Sequence, residues 1–279
     1  MATPFYHLAV AYRVCPYNSK HASPVHPTDK LSLVKLCAQS FKAACGSLKV
    51  KMFVVMDDCT EEYRNVFKEL WDEVDLEFKP CYNHGDSLTF KISVLSLLQQ
   101  TNALKVGLIE DDYLWVPNSL LDVCEILNQE DVDFVTPYYH PDIDTTEIHK
   151  TGLKYSQKIR NGFSWISCNS TTHTFFCRQV VLEESKSVWL GDYNKISPDL
   201  AKWMALTKTN IFNPFKFIKY CFTNKFWAAS IVLAWYYCLE QIILGRRYKL
   251  WVCYPSKATH MVAGMLAKEV DWTAVVLKI

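Results

Sequence analysis

Glycine is scarce in this chain, 8 of 279 residues. None follows the first apolar run: HLAVAYRV (7–14) leads into CPYNS. A glycine- and lysine/arginine-rich phosphate loop is therefore missing where a nucleoside triphosphate site at the first strand would need one. Charge of one sign is missing too. Thirty Lys and Arg face 29 Asp and Glu, a balance of +1, mixed along the chain. With no basic arm and no acidic tail, nucleic acid is not an expected partner. Eleven cysteines contain no C-x-x-C or C-x-C pair, the nearest being Cys37 with Cys45 and Cys168 with Cys177. An odd count without such pairs argues against a zinc site or disulfide framework and suits a reducing cytosol. MATPFYHLAVAYRV lacks the basic start, long apolar stretch and small-residue cleavage site of a secretory signal. The expected location is thus cytoplasmic, with the Asn169-Ser170-Thr171 sequon unmodified. A membrane-length run is also missing: the apolar stretch that opens 226–244 is about 14 residues before Glu240. A bilayer span requires roughly 18 to 20.

Half of the residues are apolar, enough for a sizeable core at this length. Strand and helix signals take turns. HLAVAYRV (7–14), KVKMFVVM (49–56), LEFKPCY (76–82), KVGLI (105–109) and VDFVTPYY (132–139) read as buried strands. Between them 29–45, 59–74, 87–101 and 117–129 read as helices; Asp29 is a plausible N-cap of the first, Gly46 its end, and Thr60 the opening of the second. Strands separated by helices of this length imply right-handed crossovers and a parallel sheet covered on both faces. The expected fold class is α/β, a mostly parallel central sheet flanked by helices with a helix-rich C-terminal part, in one domain spanning 1–279.

In such sheets ligands bind beyond the carboxyl ends of the strands. Tyr12 and Arg13 close the first strand, Asp57 and Asp58 the second, and Glu110, Asp111 and Asp112 the fourth. Carboxylates gathered at one edge repel unless a cation or proton intervenes, and a hard divalent ion is the common answer. Mg²⁺ or Mn²⁺ on one or two carboxylates, with open positions, suits a phosphate-bearing substrate. The competing reading is that acids after a strand merely cap the next helix.

The order strand, DDCT, strand, NHGDSLTFK (83–91), strand, EDDYLWVP (110–117) resembles the nucleotide-sugar-dependent glycosyltransferases of the GT-A, Rossmann-like fold. FVTPYYHPD (134–142), NSTTHTFFCR (169–178), SPDLAKWMAL (197–206) and THMVAGMLAKEVDW (259–272) narrow the likeness to a bacterial and large-DNA-virus group, including enzymes of algal viruses. The resemblance implies a donor half (1–140) and an acceptor half (141–279). It also implies a D-x-D-like metal site for Mn²⁺ or Mg²⁺ at Asp112, with His260 of THM as a second ligand. Tyr12, Arg13, Asp57, Asp58, Lys91, Glu110 and Asp111 would contact the nucleotide sugar, and Arg178 could assist the diphosphate. Asp199 would be the general base of an inverting transfer, with Asp192 the alternative; Pro198 stands where the family has a second acid, and a retaining transfer, which needs no such base, stays open. Tyr138, Tyr139, His140, Asp142, Trp165, His173 and Trp203 would wall a glycan or glycoprotein acceptor. The implied donor is a UDP-sugar such as UDP-xylose or another UDP-pentose or UDP-hexose, and the implied setting is the cytoplasm, a host's if the chain is viral.

Two other classes stay open: a sugar nucleotidyltransferase, and a non-catalytic carbohydrate-binding or membrane-surface protein of the same fold. The segment 226–244 is expected to be a buried helix. The lysines before it (Lys216, Lys219, Lys225) and the cations behind it (Arg246, Arg247, Lys249) are also compatible with a helix resting on a membrane surface.

Overall fold

The computed structural model describes residues 5–17, 25, 29–146, 149, 156–191 and 198–279. β1 (Leu8–Val14), β2 (Val50–Asp57), β3 (Leu76–Cys81) and β4 (Lys105–Glu110) alternate with α1 (Lys30–Cys45), α2 (Glu61–Leu70) and α3 (Gly85–Gln99). β5 (Tyr113–Trp115), α4 (Ser119–Ile126), β6 (Phe134–Thr136), β7 (Gln157–Arg160), β8 (Phe163–Cys168) and β9 (Phe175–Arg178) follow. A helical stretch comes next: α5 (Gln179–Glu184), α6 (Lys186–Trp189), α7 (Asp199–Thr207), α8 (Pro214–Thr223), α9 (Lys225–Tyr237) and α10 (Leu239–Ile243). β10 (Leu250–Tyr254), β11 (Ala258–His260) and α11 (Trp272–Val276) end the chain.

Among the described residues, nine strands form the main sheet in the order β3-β2-β1-β4-β9-β6-β10-β8-β7, and β11 pairs with β5 apart from it. β3, β2, β1 and β4 run parallel, as do β6 and β10. β9 is antiparallel to both neighbours, and β8 antiparallel to β10 and β7. The architecture is therefore α/β with a mostly parallel central sheet. Because β10 lies between β6 and β8, the last part of the chain is knitted into the same sheet as the middle.

Local chemistry accounts for the boundaries. Asp29 accepts from the Ser32 N–H at 3.0 Å and opens α1 as expected. Gly46 closes it at φ +53°, where a Cβ would also sit 2.5 Å from Asn118 Oδ1. β6 is only three residues long, shorter than the expected 132–139, since Pro137 has no N–H to continue a ladder. Gly107 of β4 faces Phe176 of β9 directly, and a Cβ there would meet that ring at 2.4 Å.

Two cores sandwich the sheet. Leu8, Val10, Tyr12 and Val14 face α1, α2 and α4, while Ala9 and Ala11, one residue out of step, face α3 and the later helices. The expected single buried helix over 226–244 is corrected. It is two helices broken at Cys238, and α9 buries only Ala228, Ser230, Ile231 and Ala234. Among the described residues no helix is long and apolar enough to cross a membrane.

Candidate active site

The carboxyl ends of β1, β2 and β4 open on a cleft of about 800 Å³. Register brings Arg13 opposite Glu110 across the β1–β4 ladder, and strand alternation decides which side chains reach the cleft. Arg13 lines it, whereas Tyr12 turns into the core between Phe41 and Phe67, with ring centroids at 5.7 and 5.2 Å. Tyr12 is wholly buried, so a direct nucleotide contact by it is set aside.

The three acids at the end of β4 point three ways. Glu110 receives Arg13 Nη2 at 2.6 Å. Asp111 turns beneath the cleft, taking Lys30 Nζ at 2.7 Å and the Cys15 N–H at 2.9 Å, with both partners of the ion pair buried. Asp112 begins the turn into β5, and β5 pairs with β11 so that Tyr113 lies opposite His260. His260 stacks on Tyr113, centroids 4.9 Å and planes 5° apart, which aims Nε2 at Asp112 Oδ2, 3.0 Å away. Asp112 Oδ1 is buried and has no hydrogen-bond partner among the described residues.

Burial opposes charge on all these groups, and charged neighbours nonetheless hold Arg13 and Lys30 in their charged forms. For Arg13, Glu110 and Asp86 outweigh desolvation and hold the guanidinium above its ordinary range. For Lys30, Asp111 does the same. Burial pushes the Asp112 carboxyl up, but His260 more than offsets it, and the net direction is downward; the His260 imidazole is raised in return.

The two acids after β2 serve the neighbouring helix. Asp57 accepts the backbone N–H groups of His84 at 3.1 Å and Gly85 at 2.8 Å, fastening the start of α3. Asp58, at φ +55°, accepts the Asn83 N–H at 3.0 Å and lines the cleft beside it. The helix-capping reading thus describes Asp57, though the capped helix is α3 rather than the next one in the chain. Asp86 in the first turn of α3 then meets Arg13 Nη1 at 2.7 Å. The wall that α3 gives to the cleft is Gly85, Asp86 and Thr89, not Lys91.

A second cleft of about 580 Å³ lies beyond His173. His140, Asp142, Thr171 and Asp199 line it together with Phe226, Trp227 and Leu233. His173 is buried between residues of the two clefts, within 4.8 Å of ligand-type atoms of Asp86 and Glu110. It pairs with Asp199 at the start of α7, sits 3.5 Å from Lys202 Nζ, and lies over Phe90 at 4.1 Å. Burial pulls Lys202 down to about 8 against the opposing attraction of Asp199. Asp142 pairs with His140 and lies 3.5 Å from His149; these histidines outweigh its desolvation and hold it well below the usual carboxylate range. Tyr139 is buried and donates to Asp144 at 2.7 Å, and Tyr138 donates to the Met265 carbonyl. Trp165 and Trp203 are wholly buried, Trp203 among Phe134, Phe175 and Trp189. The expectation that these two tryptophans wall a sugar site is set aside. Arg178 donates to the carbonyls of Leu127 and Gln129, away from either cleft. Asp192 falls outside the described residues.

Lys30, Asp86 and Lys202 were not singled out from the sequence. Asp86 stands inside NHGDSLTFK, and Lys202 is one helical turn after Asp199, so spacing held a signal for both. Nothing marks Lys30 as a buried lysine.

The donor set fits a divalent ion at Asp112 and His260: one carboxylate oxygen is buried and partnerless, and an imidazole nitrogen converges on the other. Asp86, Glu110 and His173 also bring ligand-type atoms within 4.8 Å of one another. Arg13 already supplies the cation for two of the three, which makes that cluster an ion-pair network.

No protein-family model matches the chain, and no curated protein matches it. Among solved structures it is similar to the galactosyltransferase LgtC in complex with donor and acceptor sugar analogs, at 12% identity and TM-score 0.46, covering 97% of this chain and 96% of that one. It is also similar to S. aureus TarS in complex with UDP-GlcNAc, at 11% identity and TM-score 0.43, covering 74% and 53%. A cytidylyltransferase from Leptospira borgpetersenii gives 11% identity and TM-score 0.35, covering 66% and 65%. An LgtC active-site mutant and another S. aureus TarS structure are spanned over only 62% and 33% of their lengths. At this distance the function rests on the site's own geometry.

Proposed function

We propose that this protein is a metal-dependent glycosyltransferase that moves a sugar from a nucleoside diphosphate sugar to a glycan hydroxyl. One observation carries the reading: at the strand carboxyl ends, beside a cleft large enough for a nucleotide, Asp112 keeps a buried partnerless oxygen while His260 approaches the other at 3.0 Å. Mn²⁺ or Mg²⁺ held by Asp112 and His260 would supply the charge that a departing diphosphate needs. The rest belongs to the chain. Residues 1–140 form the donor half, in which Asp58 is positioned for the nucleoside and Arg13, braced by Asp86 and Glu110, for the phosphates. Residues 141–279 form the acceptor half around the second cleft. There Asp199, its side chain one-third exposed and oriented by His173, is the base. The acceptor oxygen attacks the anomeric carbon, the bond to the diphosphate oxygen breaks, and the hydroxyl proton passes to the Asp199 carboxylate, with inversion. A UDP-sugar, UDP-xylose or another UDP-pentose or UDP-hexose, is the donor class we assign.

The test is thermal unfolding against UDP, GDP, CDP and TDP, each with and without Mn²⁺, on wild type and Asp112→Asn. One nucleotide is expected to stabilise only with metal. At about 100 times its dissociation constant it adds ~2.7 kcal/mol, or roughly 5 to 10 °C for a chain of this size. Asp112→Asn should abolish that shift. No shift with any nucleotide in folded wild-type protein would overturn the reading.

A further inference from the structure

The helices after α7 carry an apolar surface that lies mostly outside the two clefts. On α8, Phe215, Ile218 and Phe222 form one stripe and are 83, 54 and 87% exposed. On α9, Lys225, Val232 and Tyr236 share the face opposite the buried Ala228, Ile231 and Ala234. Leu239, Ile243 and Leu244, all more than half exposed, continue the patch along α10. Exposed apolar side chains on three adjacent helices, with three aromatic rings largely in solvent, mark a contact site rather than ordinary surface. The charge around it is one-sided: residues 212–249 hold six Lys or Arg and one acid, Glu240. Lys219, on the flank of the α8 stripe, and Lys225, within the α9 face, are exposed.

We infer that α8, α9 and α10 dock the protein on an anionic lipid bilayer, lying in the interface rather than crossing it. Aromatic and aliphatic side chains with interleaved lysines are the chemistry that an acyl boundary beneath anionic headgroups recognises. A protein partner of opposite character would need acidic groups set among apolar ones, whereas a bilayer supplies both at any register. The second cleft shares this surface, since Phe226, 68% exposed, lines the cleft and extends the patch. If the second cleft takes the acceptor, as proposed above, the acceptor is presented at the lipid surface; docking itself does not depend on that reading.

The experiment is flotation of the full chain with phosphatidylcholine vesicles, with and without phosphatidylglycerol, at low and high salt, which requires no catalytic activity. Wild type should float only with the anionic lipid and be released by salt. Lys216→Glu/Lys219→Glu/Lys225→Glu should lose roughly a hundredfold in partitioning, and Phe215→Ser/Phe222→Ser about tenfold. Both variants should keep the wild-type unfolding midpoint, the substituted side chains being wholly or partly exposed. Three results would overturn docking: wild type that fails to float, a charge-reversed variant that floats like wild type, or wild type that is dimeric without lipid while the Phe variant is monomeric, which would assign the patch to a second copy. A failed nucleotide test with successful flotation would leave docking standing and remove only the acceptor consequence.

Discussion

The two clefts on either side of His173 differ in how the fold builds them. The first grows out of the sheet: its acids and cations stand at the ends of β1, β2 and β4 or in the first turns of α1 and α3, and most are partnered, Arg13 with two carboxylates and Lys30 with one. The second takes its large apolar side chains mainly from α9, and its polar groups, Asp142 with two histidines and Asp199 with one, come from elsewhere in the chain. Charge in the first cleft is woven into the scaffold, so removing it should damage stability. The apolar wall of the second is peripheral, so altering it should change binding while the fold survives.

The largest effect tests the weave. Lys30→Ala leaves Asp111 buried without its cation and should cost about 3–5 kcal/mol in urea unfolding. Replacing both, Lys30→Met with Asp111→Leu, should recover part of that loss, because two apolar side chains need no mutual compensation while the Cys15 N–H loses its acceptor. A loss below ~1 kcal/mol in Lys30→Ala would mean water reaches Asp111, and the contrast between the clefts would fail there.

How far such features can be read beforehand depends on the range of the interaction. β1, β2 and β4 are legible because each is an apolar run that ends at a polar cluster, and the caps of α1 are legible because Asp29 and Gly46 act within a few residues. The antiparallel entry of β9 between β4 and β6 is not, since Phe175–Arg178 could pair with any edge until the rest of the sheet is laid down. In the site, the acids at the strand ends could be anticipated, but their separate tasks could not. Alternation puts Tyr12 inside and Arg13 outside only when the burial of both faces is known. Lys30 and Asp111 are 81 residues apart, and a lysine that will be buried carries no local mark. The pairing of Asp112 with His260, across 148 residues, is suggested only by family resemblance.

A second prediction sharpens the comparison at the border between the clefts. Lys202 is wholly buried, with its charge disfavoured by burial, and is pulled from 10.5 to about 8. The unfolded chain therefore binds more protons than the folded one between those values, and folding stability should rise as pH rises from about 8 toward 10.5. Below pH 8 both states are protonated and the cost of a buried charge is present in full. Lys202→Met removes that cost, so its advantage over wild type, about 3 kcal/mol near neutrality, should shrink toward zero by about pH 10.5. Unfolding curves of both proteins across this range check the sign; an advantage that grows with pH would show that Asp199 and His173 satisfy the ammonium.

The smallest effect separates scaffold from wall most directly. Asp57 lines the first cleft and also fastens its wall, both its oxygens being taken by the His84 and Gly85 N–H groups. Asp57→Ala should cost about 1–2 kcal/mol, the usual worth of a helix N-terminal acceptor, and should weaken nucleotide stabilisation as well, because the loosened turn carries Asp86 and the wall of the cleft. Asp57→Asn keeps one acceptor oxygen and should fall between Ala and wild type. Phe226→Ser in the second cleft removes a larger side chain, yet with 68% of the residue in solvent its stability cost should stay within ~0.5 kcal/mol. If the two variants lose equal stability, the second cleft is as deeply rooted as the first, and a peripheral helical wall is the wrong description of it.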